Sequence, residues 1–141
     1  MKFRTLAMLV ATAAMAAGAA RAATEKYEAT LSGSQEAPAN TTTGTGNVQA
    51  SLDTGTKTLS YKVTFSGLTG PATMAHFHGP AAPGANAPPV VPIANPTSPS
   101  SGMATLTEPQ MQDLEAGKWY FNVHTAAHPG GEIRGQVKPV K

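Results

Sequence analysis

Tyr27, Ala29 and Leu31 alternate with Glu28, Thr30 and Ser32, and Val48, Ala50 and Leu52 alternate with Gln49 and Ser51. Period two is the signature of strands with one face in a core. The longest run sets Leu59, Tyr61, Val63 and Phe65 against Ser60, Lys62 and Thr64, entered through the turn Asp53-Thr54-Gly55-Thr56, which predicts a hairpin. A turn-rich stretch from Gly33 to Gly46 separates the first two strands. Ala72 to His78 and Met103 to Leu106 read as further strands. Trp119, Phe121 and Val123 claim the core against Tyr120, Asn122 and His124, and Ile133 and Val137 alternate with Glu132, Arg134 and Gln136.

One helix interrupts the strands. Thr107 is a cap with Gln110 at the capping-box position, Pro109 sits in the first turn, Met111 and Leu114 share a face, and Gly117 ends it. Between Gly79 and Gly102 lie seven of the twelve prolines, so Val90-Val91-Pro92-Ile93 is at best an edge strand within a long loop. Seven or eight short strands and one short helix predict an all-β fold, an antiparallel Greek-key β-sandwich of the immunoglobulin-like or superoxide-dismutase-like kind.

The alternation begins only after residue 23. Before it, Lys2 and Arg4 precede an uncharged apolar run, Thr5 to Ala20, that closes on Ala20-Arg21-Ala22. A basic head, a short apolar body and a small-x-small site predict a signal peptide over residues 1–22, cleaved after Ala22, with residues 23–141 as one exported domain, periplasmic or secreted. Its removal takes three basic residues and no acid, moving the formal net charge from +2 to −1. No basic stripe for nucleic acid is left. No second apolar run would hold the exported domain in a membrane. The chain has no cysteine, which excludes disulfides and thiol chemistry.

All four histidines fall in two short segments, Met74-Ala75-His76-Phe77-His78-Gly79 and Asn122-Val123-His124-Thr125-Ala126-Ala127-His128. On a strand His76 and His78 share one face. If their strand neighbours the one carrying His124, then His76, His78 and His124 converge, with His128 in the following loop. Neutral imidazole nitrogens in threes or fours suit Cu(II), Zn(II) or Ni(II), and Met74, on the same face, offers a thioether to copper. The alternative is a wet strand face on which the histidines hydrogen-bond backbone carbonyls without an ion. Glu132 and Arg134 lie two residues apart on one face, able to pair with each other or across strands, or for Arg134 to tie the Pro-rich loop to the sheet. The Thr-rich run Thr41 to Gly46 reads as a plain turn.

Four motifs in order, Leu31-x-Gly33-x-Gln35-Glu36-x-Pro38, Ala75-His76-Phe77-His78-Gly79, Tyr120-x-Asn122-Val123-His124-Thr125 and Pro129-Gly130-Gly131-Glu132-Ile133-Arg134-Gly135-Gln136, resemble the CHRD domain, named after chordin. The resemblance implies a β-sandwich and an extracytoplasmic setting. A weaker similarity, to Cu/Zn superoxide dismutase, rests on the His-x-His strand of its copper site; this chain has no disulfide, no bridging histidine and no second metal set. The resulting expectation is an exported domain that binds a transition metal, copper ahead of zinc, at His76, His78, His124 and His128, with a binding role ahead of a catalytic one. A module that recognises an extracellular protein without metal stands second, and a dismutase third.

Overall fold

The computed structural model describes residues 22–141. The expected leader, residues 1–22, lies outside the described residues except for Ala22. Among the described residues no helix is long and apolar enough to cross a membrane.

Among the described residues nine strands and one helix follow in the order β1 (Thr24–Ser32), β2 (Thr45–Asp53), β3 (Thr58–Ser66), β4 (Ala72–His78), β5 (Pro89–Pro92), β6 (Ser100–Thr105), α1 (Glu108–Glu115), β7 (Tyr120–Thr125), β8 (Ile133–Gln136) and β9 (Lys138–Pro139). A short 3-10 turn, Gly33–Gln35, follows β1. The strands hydrogen-bond along the path β5-β4-β7-β8-β1-β2-β3-β6, with β9 attached to β1, and every pairing is antiparallel. After the β1-β2-β3 meander the chain crosses to the other half for β4 and β5, returns for β6, and crosses again through α1 for β7 and β8. This is the interleaved, all-β antiparallel sandwich that the alternation predicts.

The path folds at the seam between β1 and β8, which meet through the pair Ser32 and Arg134. Glycine is needed there, because a Cβ on Gly135 would collide with the Thr30 carbonyl of β1. The inner faces of the two halves then enclose one core. Leu31, Val48, Leu52, Leu59 and Val63 come from one half, and Phe77, Trp119, Phe121 and Val123 from the other. Tyr61 of β3 meets Phe77 of β4 edge-on, with ring centroids 5.4 Å apart. Each large apolar side chain removed from water here contributes roughly 1.5–3 kcal/mol.

The local signals act as their chemistry dictates. Thr107 and Gln110 complete the capping box of α1, Met111 and Leu114 are its buried residues, and Gly117 closes it at φ 72°. β5 ends the path, bounded by Pro89 and Pro92, which cannot donate to a further strand.

One expectation changes. The face of β4, β7 and β8 away from the core was open to being a wet row, yet all residues of β7 and β8 are buried. The cover is the first half of the Pro-rich loop. Gln136 Nε2 donates to the Ala81 carbonyl, Arg134 donates to the Ala85 carbonyl and to Asn86 Oδ1, and the Tyr120 hydroxyl donates to the Ala87 carbonyl. Asn86 Nδ2 in turn donates to the Ala37 carbonyl. A polar layer containing Glu36, His78, Asn122, His124, Arg134 and Gln136 is thus sealed between the sheet and this loop.

Candidate metal centre

The condition for convergence is met: β4 and β7 are neighbours, in a register that sets Met74 opposite His124, His76 opposite Asn122 and His78 opposite Tyr120. His76, His78 and His124 therefore meet on the covered face. Each can offer one ring nitrogen such that all three lie within 4.8 Å of one another. Ring centroids are 5.1 Å apart for His76 and His124, 5.4 Å for His76 and His78, and 6.2 Å for His78 and His124. His78 and His124 are buried and His76 is half-buried, so the cluster opens outward at His76.

Backbone carbonyls set the tautomers. His124 Nδ1 lies 2.8 Å from the Pro129 carbonyl and His78 Nδ1 2.9 Å from the Ala87 carbonyl, so each ring donates N–H there and its lone pair is left on Nε2. Anchoring one imidazole nitrogen on a carbonyl is the outer support that metal-ligating histidines use. His124 Nε2 faces His76 Nδ1 at 3.3 Å. Two nitrogens bound at ~2.0–2.1 Å to one tetrahedral ion stand roughly 3.3 Å apart, so that edge already has ligand spacing. His78 Nε2 lies 2.8 Å from Asn122 Oδ1; with the amide turned, its N–H meets the lone pair, a contact that an ion would replace. Tyr120 stacks flat on the His78 ring, 4.6 Å between centroids.

Burial, and then the neighbouring imidazoles, hold His76 below its ordinary value. Burial likewise lowers His78 against the opposing pull of its bonds to Ala87 and Asn122. Both shifts favour the neutral ring, the form a metal requires. The donor set fits a transition ion: three histidine nitrogens, and no carboxylate in the group.

The structure brings three of the four expected histidines together. His128 does not join them. It lies in the turn after β7, where its backbone exchanges hydrogen bonds with Thr125. Glu132 and Arg134 are both buried and take other partners than each other. Glu132 accepts from the Thr42 hydroxyl (2.9 Å), the Thr125 hydroxyl (2.8 Å), the Thr69 amide (3.0 Å) and the Thr69 hydroxyl. These bonds hold its carboxyl below the usual range against the cost of burial. Thr42, expected in a plain turn, is one of its donors. Arg134 does tie the Pro-rich loop to the sheet, and its guanidinium carbon lies 3.5 Å from the Tyr120 ring centroid. Tyr120 is therefore held between Arg134 and His78.

Glu36 was legible only as part of a motif. Its carboxyl is buried beside Asn122 and Gly131, with one oxygen unpartnered. Burial pushes it up to about 7 despite the attraction of Arg134. A carboxyl that keeps its proton in the fold and loses it near 4.5 when unfolded stabilises the fold fully below pH 4.5. That contribution is lost as pH rises to about 7 and amounts to roughly 3 kcal/mol at most. His76 and His78, whose lowered values favour the fold at higher pH, act in the opposite sense. Urea unfolding of wild type and Glu36→Gln at pH 5 and pH 8 should therefore show the variant gaining stability relative to wild type at the higher pH. An unchanged difference between the two proteins would refute the buried acid.

An all-β antiparallel sandwich with a polar layer sealed outside its sheet and a histidine cluster at the rim of that layer describes the class. The CHRD domain family matches residues 27–137, and the chain belongs to that family. No curated protein and no solved structure matches it.

Proposed function

We propose that this chain is an exported CHRD domain that binds a transition-metal ion, copper ahead of zinc, through His76, His78 and His124. The reading is carried by one observation: His76, His78 and His124 each present one ring nitrogen within 4.8 Å of the other two, and His124, its Nδ1 held by the Pro129 carbonyl, sets Nε2 3.3 Å from His76 Nδ1. Histidines that only ordered turns would have no need to share that space. Export rests on the charge and apolar pattern of residues 1–22. With buried ligands and a half-buried opening, the arrangement suits holding an ion, for sequestration or handover, ahead of turning over a substrate.

Titration of metal-stripped protein with Cu(II) and with Zn(II) should give one saturable equivalent. At a free concentration 100 times the dissociation constant, binding should add ~2.7 kcal/mol of stability, read as a raised melting temperature. Absence of saturable uptake of either ion would overturn the assignment. The layer would then be fold architecture, and a protein-recognition role would take its place.

A further inference from the structure

We infer that Met74 supplies a thioether donor to the histidine site and that Cu(I) is the ion the site prefers; the inference rests on the metal-binding reading above. Met74 precedes His76 by two residues on β4, so its side chain leaves the sheet on the histidine face. In the register it stands directly opposite His124. Side chains opposed in this way have Cβ atoms ~4.5–5.5 Å apart, within reach of a flexible methionine.

The side chain has no packing duty that would explain it. Met74 is 47% exposed, and it belongs neither to the core nor to the partly buried apolar residues packed on it. An unbranched apolar side chain is thus held in water beside the open end of the imidazole cluster. The register shift between Ala72 and Met74 marks a local irregularity of β4 at this point.

Chemistry then selects the ion. A thioether is a soft, uncharged donor that strengthens a site for Cu(I) and adds little for Zn(II). Met103 provides an internal comparison. It is 70% exposed on β6, which carries no histidine, and it pairs with Ser60 of β3.

The test is an anaerobic competition titration with Cu(I) against the chelator bicinchoninate, run on wild type, Met74→Leu and Met103→Leu, alongside Zn(II) titrations of all three. Both substitutions alter exposed side chains and keep their size. Met74→Leu should lose about tenfold or more in Cu(I) affinity, since even outer-shell changes cost 10–100-fold, while its Zn(II) affinity and both affinities of Met103→Leu stay at the wild-type values. X-ray absorption of the Cu(I) protein should show a copper–sulfur shell that Met74→Leu lacks. Equal Cu(I) affinity in wild type and Met74→Leu, or no sulfur shell in wild type, overturns the role of Met74 and leaves the histidine site standing. Wild type that takes neither Cu(I), Cu(II) nor Zn(II) overturns both.

Discussion

His76→Ala is expected to weaken Cu(II) binding about a hundredfold or more and to leave the metal-free fold nearly as stable as wild type. The first expectation follows because a direct ligand contributes at least as much as its outer support, for which 10–100-fold is usual. The second follows from its surroundings: His76 is half-buried, and its hydrogen bond is the 3.3 Å contact to His124. His78 and His124 are less suitable, since each also anchors a loop through a carbonyl. His128→Ala, outside the cluster, should bind as wild type does. Calorimetric titration with circular dichroism on the same samples reads both quantities. Undiminished affinity in folded His76→Ala would remove the ring from the site.

Glu132→Ala should lower the melting temperature by roughly 10 °C. The carboxylate gathers the hydroxyls of Thr42, Thr69 and Thr125 and the amide of Thr69, which come from the segment before β2, the β3–β4 connection and the end of β7. Hydrogen bonds to a charged acceptor contribute ~1.5–3 kcal/mol, and buried donors left without one cost ~1–3 kcal/mol. Rotation of the hydroxyls recovers part of this, but the amide of Thr69 has no such freedom. A net loss of about 3 kcal/mol corresponds to that fall in a domain of this size. Thermal unfolding followed by circular dichroism measures it. A fall of less than a few degrees would mean that the three segments are held by other contacts. Glu132→Gln, which keeps an acceptor oxygen but adds donors, should fall between the two.

What could be read in advance was the structure that local chemistry decides. Alternation placed Phe77, Phe121 and Val123 in the core, the box at Thr107 and Gln110 started the helix, and the prolines confined β5 to an end of the path. The convergence of His76, His78 and His124 followed from two facts of the strand, its period of two and the adjacency of β4 and β7. The first was in the sequence, and the second is a matter of topology.

The covered polar face was not legible, for a definite reason. A strand of alternating polar and apolar residues has the same pattern whether its polar side meets water or a folded-back loop. The partners of that layer come from far along the chain: Arg134 reaches Ala85, Gln136 reaches Ala81, and Asn86 reaches Ala37. Thr42 illustrates the same limit. Its turn composition suits solvent and a buried carboxylate equally, and only the fold brings Glu132 to it.

Glu132 has one more consequence. Its charge is balanced by neutral hydroxyls and a backbone amide, and among the described residues the ion pair is Lys57 with Glu108, exposed on both sides. Ions in solution screen interactions between exposed charges over ~8–10 Å and barely touch a buried carboxylate held by dipoles. The contribution of Glu132 to the fold is therefore nearly indifferent to ionic strength.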